Sequence, residues 1–164
     1  MRWCARWWAT GTGAIAGNAR LAVETREIER STPSYTVTTL ESMRAEVGAR
    51  PIAIMVGADA FAGLETWHRW QDLPRLAHIV VATRPGYAIE GALPPALAAF
   101  WHRARTTRAG VCARSPAGLI YPLEITPLDV SASRIRALVR AGRSIRYLVP
   151  DAVAAYVSDH GLYR

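Results

Sequence analysis

Short apolar runs alternate along this chain with stretches in which apolar residues recur at helical spacing. The runs PIAIMVGAD (51–59) and AHIVVATRPG (77–86) predict buried parallel strands, each followed by a turn that contains glycine. The run GLIYPLEITPL (118–128) predicts a further strand, and its proline marks an edge or a bulge. Alternation in ARLAVETREI (19–28) predicts one more strand.

Amphipathic stretches between and after these runs predict helices. Over 35–47, apolar residues recur every three or four positions, and Ser34 is placed to cap the helix. Ser131 is the expected N-cap of a helix over 132–141, which Gly142 ends. The other predicted helices cover 64–73, 94–105 and 150–161. Strands that alternate with helices predict a single α/β domain, with a parallel sheet and helices on both of its faces.

Three loops at the predicted carboxyl ends of strands hold the densest polar, glycine and arginine content of the chain. They are GADAF (57–61), TRPGY (83–87) and LDVSAS (128–133). Open α/β sheets bind ligands at this edge, in the loops that lead from strands to helices. The sequence therefore predicts a ligand site there.

The segment LDVSASRIR (128–136) has the features of a phosphate site. A helix amino terminus offers unpaired N–H groups and a partial positive charge. Ser131 and Ser133 add hydroxyls in the first turn, and Arg136 can reach a bound anion from the second. The alternative is that Ser131 only caps the helix while the arginines form a solvated face.

The motifs GAD and TWHRW have features of a nucleotide site. Gly57 permits close approach of a ligand, and Asp59 can accept hydrogen bonds from ribose hydroxyls. Trp67 can stack on a planar ring. Alternatively, Trp67 and Trp70 are both core residues, since their spacing places them on one side of a helix.

The net charge of +7 at pH 7 comes from arginine alone, because the chain has no lysine. Such a surplus favours an anionic partner, either a nucleic acid or a phosphorylated small molecule. An arginine-only composition also fits a GC-rich genome, so charge decides nothing by itself. The aromatic residues do not interleave with arginines along a strand, which argues against a nucleic-acid partner.

Cysteine and histidine spacing argues against a disulfide scaffold and against a metal site. Cys4 and Cys112 lie far apart, and no two of the four histidines lie four positions apart. Two free thiols fit a reducing cytoplasm. No stretch approaches the ~20 uncharged apolar residues of a membrane helix, so we expect no membrane partner.

Three segments in this order resemble one family. They are 25–46, with PSYT-x-x-TL; 54–87, with VGAD, TW and RPG; and 128–164. Together they resemble bacterial nicotinate-nucleotide adenylyltransferases, from about residue 19 to the end and least between about 88 and 118. The resemblance implies a Rossmann-like nucleotidyltransferase fold.

The resemblance also assigns binding roles. The nicotinate mononucleotide side comprises Tyr35, Thr36, Thr39, Gly57, Asp59, Trp67 and His68. In this assignment the backbone N–H of Thr36 faces the nicotinate carboxylate, and Trp67 stacks on the pyridine ring beside the backbone of His68. The ATP side comprises Arg84, Ser131, Ser133 and Arg136.

The sequence departs from the family at its amino-terminal end. The family's G-G-[ST]-F-D-P loop and H-x-G-H motif, which cradle the ATP phosphates, do not occur in it. Residues 1–18 match no family segment, so we expect the nucleotidyltransferase domain to span 19–164 without the family's first βα unit. The catalytic residues are therefore unknown.

The implied activity is adenylyl transfer from ATP to nicotinate mononucleotide in NAD biosynthesis, giving deamido-NAD and pyrophosphate. Mg²⁺ would accompany ATP as cofactor, and the expected compartment is the cytoplasm. One alternative is a related adenylyltransferase for nicotinamide mononucleotide or pantetheine phosphate. Another is a truncated remnant that binds nucleotide without catalysis. Assembly into a homo-oligomer is left open.

Overall fold

The computed structural model describes residues 12–15, 17–86, 88–126, 128 and 130–164. Most of the segment 1–18, Tyr87 of the TRPGY loop and Asp129 of the LDVSAS loop lie outside the described residues. The chain divides into two compact units. The sheet unit is Ser31–Pro127, and the terminal unit comprises Met1–Arg30 and Leu128–Arg164. The domain boundary between residues 18 and 19 stays a prediction.

Helices and strands alternate along the sheet unit. The strands are β1 (Ala53–Gly57), β2 (His78–Thr83) and β3 (Ile120–Glu124). From Arg26 onward the helices are α1 (Arg26–Glu29), α2 (Thr36–Val47), α3 (Ala58–Ala62), α4 (Leu73–Leu76), α5 (Pro95–Ala104), α6 (Ala109–Cys112), α7 (Ala132–Arg140) and α8 (Asp151–Asp159). Single 3₁₀ turns cover Leu64–Thr66, Trp70–Asp72 and Ile89–Ala92. The strands predicted after residue 50 are confirmed, as are the helices predicted over 35–47 and 94–105.

The three strands form one parallel sheet in the order β1-β2-β3. Ile79 of β2 pairs with Ile54 of β1 on one side and with Ile120 of β3 on the other. Within the described part of the chain β3 pairs with no other strand, so Pro122 lies in an edge strand, as its sequence context predicts.

One face of the sheet carries the hydrophobic core. Ile79, Val81 and Ile120 are fully buried there. Helices and turns contribute Val37, Leu40, Phe61, Leu64, Leu73, Leu97, Phe100 and Trp101 to the same cluster. Each fully buried side chain of this size is worth about 1.5–3 kcal/mol. The loops at the ends of β1 and β2 therefore start from a well-packed framework.

The opposite face of β1 is exposed, which corrects the prediction of a buried strand over 51–59. Met55 is 66% exposed, and the flanking Ala53 and Gly57 are also exposed. Successive residues of a strand point to opposite faces, so only Ile54 and Val56 turn toward the core. Because the run has apolar residues at the inward and at the outward positions of the strand, the sequence pattern does not distinguish its buried face from its exposed face.

The strand predicted over 19–28 is wrong. Residues 21–25 are irregular, and Arg26–Glu29 form the short helix α1. The backbone N–H groups of Ile28 and Glu29 donate to the carbonyl of Thr25, whose hydroxyl donates to the Glu29 carboxylate at 2.7 Å. These local hydrogen bonds compete with an extended strand, and the exposed Ile28 gains no burial that would favour one.

The helix predicted over 64–73 is interrupted. Two 3₁₀ turns flank an irregular stretch at 67–69, and the α-helix α4 starts only at Leu73. The break occurs at Arg69, whose φ of 51° is left-handed and incompatible with a continuous helix.

Arg44 fastens the carboxyl-terminal end of α2 to three neighbouring segments. One guanidinium nitrogen donates to the carbonyls of Gly48 and Arg50 at 2.8 and 2.6 Å. The other donates to the carbonyls of Leu76 and Pro116. Charge-assisted bonds of this kind are stronger than neutral ones. They hold the carboxyl-terminal end of α2 against the end of α4.

The terminal unit confirms both predicted helix signals around α7. The Ser131 hydroxyl accepts from the backbone N–H of Arg134 at 3.1 Å, so Ser131 is the N-cap. At the other end the N–H of Arg143 donates to the Leu138 carbonyl, and Gly142 has a φ of 65°. That pattern is a Schellman termination, which favours glycine. No helix of the described residues is long and apolar enough to cross a membrane.

Candidate functional site

The carboxyl ends of β1 and β2 lie side by side in the sheet unit. Gly57 pairs with Ala82, so the loop that follows each strand leaves the same edge. Asp59 lies in the first turn of α3, and Arg84 directly follows β2. Both side chains are exposed, and within the described chain neither makes an ion pair or a side-chain hydrogen bond. A carboxylate and a guanidinium are thus available to a ligand at this edge.

Gly57 leaves open space at the end of β1. A Cβ atom built on this residue would meet no heavy atom within 4 Å. Its φ of −72° is ordinary, so the backbone conformation does not require glycine. Room for a ligand is therefore a better physical explanation of this glycine than backbone strain, in agreement with the sequence interpretation.

Tyr35 and His68 form an aromatic surface in the sheet unit. Their ring centroids lie 4.3 Å apart with an interplanar angle of 32°. Tyr35 is 44% exposed, and His68 is exposed as well. The contact joins two segments, PSYT and TWHRW, that the family resemblance assigns to the same ligand. The fold therefore brings these two predicted parts of the nicotinate pocket together.

Trp67 is only partly available to a ligand. Its side chain is mostly but not fully buried and packs against the core cluster, as does that of Trp70. Both alternatives raised by the sequence therefore apply in part, since each indole contributes to the core without being fully enclosed. The imidazole ring of the neighbouring His68 is exposed, although the resemblance implies a role only for the backbone of that residue.

The amino terminus of α2 supplies a partial positive charge beside this aromatic surface. The helix starts at Thr36, and Tyr35 rather than Ser34 occupies the N-cap position, which corrects the predicted cap. Tyr35 makes no side-chain cap, and the first turn contains no acidic residue. The backbone N–H of Thr39 donates to the Tyr35 carbonyl at 3.1 Å, as in a regular first helical turn. A carboxylate is the kind of group that such a helix end attracts.

Arg69 fixes the segment that carries Trp67 and His68. One guanidinium nitrogen lies 2.8 Å from the Glu41 carboxylate of α2, and the group also bonds Asp72 at 2.8 Å. The hydrogen bonds that Arg69 donates to the Glu41 and Asp72 carboxylates raise the pKa of Arg69 above its usual value. The pair with Glu41 ties the TWHRW segment to α2, so Arg69 is a positioning residue for the Tyr35–His68 contact.

Sequence inspection misses the pairing of Arg69 with Glu41. Helical spacing places Glu41 correctly on the polar face of α2, but its partner lies far along the chain. No local spacing rule links the two residues. The only signal is the arginine that directly follows the candidate pocket residues in TWHRW.

The predicted ATP-side residues of α7 lie close together in the terminal unit. A guanidinium nitrogen of Arg136 donates to the Ser133 hydroxyl at 3.3 Å. Ser131 caps the helix, and the first turn holds no acidic residue. The capping role of Ser131 is confirmed, while the phosphate-binding role of the set stays a prediction. Arg84, assigned to the same ligand, belongs to the sheet unit.

Comparison with known proteins identifies the family. None of the protein-family models compared with this chain matches it. A relative from Dechloromonas aromatica, "Probable nicotinate-nucleotide adenylyltransferase", is 48% identical over 154 residues, which are 92% of this chain and 70% of the relative. Proteins of the same name from Pseudomonas aeruginosa PAO1 and Pseudomonas putida W619 are 48% and 47% identical over 152 residues. They match 92% of this chain, which covers 70% and 68% of their lengths.

Solved structures support the fold. Nicotinic acid mononucleotide adenylyltransferase of Plasmodium falciparum, complexed with APC, matches with a TM-score of 0.53 at 14% identity. The match covers 81% of this chain and 60% of the Plasmodium chain, and 58% of that chain when it is complexed with NaAD. The predicted Rossmann-like nucleotidyltransferase fold, an α/β structure with a parallel sheet, is thereby confirmed. Given identities near one half over most of its length, this chain belongs to the nicotinate-nucleotide adenylyltransferase family.

Proposed function

We propose that this chain binds nicotinate mononucleotide and ATP and acts in adenylyl transfer between them, giving deamido-NAD and pyrophosphate. The observation that carries the proposal is the exposed Tyr35–His68 surface beside the positive end of α2, in a chain of this family. An aromatic surface suits a pyridine ring, and a helix amino terminus suits the carboxylate of nicotinate.

In this proposal the sheet unit holds the mononucleotide. The nicotinate carboxylate approaches the backbone N–H of Thr36, and the pyridine ring lies against Tyr35, Trp67 and His68. The ribose and phosphate extend toward the open edge at Gly57, where the free Asp59 carboxylate accepts hydrogen bonds from hydroxyls. The exposure of Tyr35, His68 and Asp59 and the family resemblance support these roles.

The family resemblance assigns Arg84 of the sheet unit and Ser131, Ser133 and Arg136 of the terminal unit to ATP, and we propose an ATP-binding role for each of these two groups by itself. The described residues contain no group of three His, Cys, Asp or Glu side chains that could hold a metal ion. Mg²⁺ keeps most of its ligands from water and nucleotide phosphates in such sites, so we propose that it arrives with ATP. Bound to ATP, it would neutralise phosphate charge.

The chemistry requires positioning more than a reactive side chain. A phosphate oxygen of the mononucleotide attacks the α-phosphorus of ATP, and the bond to the β-phosphate oxygen breaks, so pyrophosphate leaves. Catalysis of this type rests on alignment and on electrostatic stabilisation of the transferred group. Arg84, which is exposed in the sheet unit, is the cation that we propose for that stabilisation.

The test is formation of deamido-NAD by the purified 164-residue chain, measured by mass spectrometry with ATP, Mg²⁺ and nicotinate mononucleotide. We expect product with this substrate and much less with nicotinamide mononucleotide or pantetheine phosphate. The rate should fall well below that of the Pseudomonas aeruginosa relative, because the H-x-G-H motif does not occur in this sequence. Loss of one preorganised donor in comparable sites costs about 10²–10³ in rate.

The absence of that motif also favours a second candidate, a protein that binds both nucleotides without catalysis. Isothermal titration with each nucleotide separates the two candidates. Binding of both nucleotides without product would support the second candidate, whereas no binding of either would contradict both.

A further inference from the structure

The terminal unit contains a cavity of about 460 Å³ at the carboxyl end of α7. This volume lies within the range of small-molecule sites. Three arginines, Arg143, Arg146 and Arg164, contribute to its wall. Asp151 and the α-carboxylate of Arg164 are the negative groups among the described residues of the wall, so the three guanidinium groups leave a small surplus of positive charge.

The cationic groups of this cavity have no acidic partner among the described residues. Arg143, Arg146 and Arg164 form no ion pair with any described residue. The guanidinium carbon of Arg146 lies 5.2 Å from the ring centroid of Tyr147, which is 87% exposed. A cation–π contact of this kind orients the side chain without neutralising its charge.

The floor of the cavity is apolar. Val139, Ile145, Ala154 and Val157 contribute to it, and Ile145 and Val157 are 7% and 8% exposed. A free inorganic anion would leave this apolar surface unused. A phosphate attached to an organic group matches both the cationic wall and the apolar floor.

The backbone around the cavity is held in a specific conformation. Gly142 ends α7 with a φ of 65°, and Tyr147 has a φ of 66°. A left-handed aromatic residue is rare and persists only where the surrounding structure enforces it. The Ser144 hydroxyl accepts from the N–H of Arg146 at 3.1 Å, which further fixes the turn between them. Such preorganisation reduces the entropy that binding must overcome.

We propose that this cavity binds a small organic phosphate of the size of a nucleoside monophosphate. The site differs from the predicted ATP contacts at Ser131 and Ser133, which lie at the opposite end of α7. That helix has nine residues, so its two ends are about 13 Å apart. The proposal does not depend on the proposed adenylyl transfer.

The test titrates AMP, adenosine and inorganic phosphate into the ¹⁵N-labelled 164-residue chain and follows backbone amide shifts by NMR. AMP should bind most tightly and shift the amides of Gly142–Arg146 and Ser158. Adenosine lacks the anion and phosphate lacks the apolar group, so both should bind more weakly. If either binds as tightly as AMP, or if those amides do not move, the proposal is wrong.

Matched variants locate the site. Replacing both Arg143 and Arg146 by alanine should lower the affinity for AMP roughly tenfold or more, because charge-assisted bonds to phosphate are lost. Arg140→Ala removes an exposed cation outside the lining and should change affinity by about twofold or less. Equal weakening by Arg140→Ala would show general charge attraction and overturn the proposal.

Two further variants distinguish binding in this cavity from binding at the amino-terminal end of α7. Ala154→Phe fills the floor without changing charge and should abolish AMP binding, with thermal unfolding measured to confirm that the variant is folded. If this variant fails to fold, Ala154→Leu serves instead. Arg136→Ala should leave AMP affinity at Gly142–Arg146 unchanged. A loss of those shifts in Arg136→Ala would assign the binding to the predicted ATP contacts and contradict a separate site.

Discussion

Replacing Tyr35 by alanine should weaken the binding of nicotinate mononucleotide while leaving the protein folded. Tyr35 is 44% exposed and contacts the His68 ring at 4.3 Å, so it belongs to an accessible surface rather than to the core. An aromatic contact is worth about 0.5–1.5 kcal/mol beyond its buried area. Since ~1.4 kcal/mol is a factor of ten, the dissociation constant should rise about 2- to 13-fold.

The same substitution at Trp67 should act differently. Full burial of a tryptophan makes its replacement by alanine cost about 3–5 kcal/mol. Trp67 is mostly but not fully buried against the core cluster, so we expect a cost somewhat below that range, ~2–3 kcal/mol of unfolding free energy. For Tyr35→Ala the cost in stability should be about 1 kcal/mol or less.

Isothermal titration gives the dissociation constant for each variant, and urea denaturation gives its free energy of unfolding. Tyr35→Phe is the control, because it keeps the ring and removes only the hydroxyl. It should bind within about twofold of the parent chain. If Tyr35→Ala binds nicotinate mononucleotide normally, or if it unfolds the chain while Trp67→Ala does not, the division into an exposed pocket wall and a core-anchored tryptophan is wrong.

Four further predictions concern individual side chains. Arg69→Ala should raise the KM for nicotinate mononucleotide more than that for ATP, and Arg75→Ala is the control; equal effects would refute a positioning role. His78→Phe should cost about 1–3 kcal/mol for each of the two hydrogen bonds that the buried imidazole makes, to Ser115 and Leu119, as measured against the exposed His102→Phe by urea denaturation. Arg136→Ala should lower the affinity for ATP but not the affinity for nicotinate mononucleotide in isothermal titrations. Arg140→Ala is the control and should leave both affinities unchanged. Its hydrogen bond with the Arg26 guanidinium lowers the pKa of Glu24 to about 2. The stabilisation of the folded chain by this pair is therefore present above about pH 4.5 and is lost as the pH falls through 2. An NMR titration that gives an ordinary pKa for Glu24 would contradict this.

Elements that bury one continuous stripe were predictable from the sequence. The α2 repeat with Val37 and Leu40, and the β2 run with Ile79 and Val81, are long apolar patterns that one packing arrangement satisfies. The cap at Ser131 was predictable for a different reason, since it uses a backbone partner only three residues away.

Features that depend on distant partners could not be predicted. The break at 67–69 accompanies an ion pair between Arg69 and Glu41 on another element, and helical spacing in LETWHRWQDL gives no indication of it. The alternation in 19–28 lacks any partner strand in the described residues, and local hydrogen bonds at Thr25 prevail instead. Likewise, the sequence indicates Trp67 as the stacking ring, but only the fold shows how much of its indole the core uses.

The most direct test of the proposed nicotinate pocket is the ratio of affinities of the 164-residue chain for nicotinate and nicotinamide mononucleotide, measured by isothermal titration. The two ligands differ at one group, a carboxylate or a neutral amide, which the proposal places at the amino terminus of α2. A charge at a helix end is worth about 0.3–2 kcal/mol, so nicotinate mononucleotide should bind about 2- to 30-fold more tightly. The preference should shrink as salt is raised, because salt screens the helix dipole. Equal affinities, or a preference for the amide, would contradict the placement of the carboxylate at Thr36.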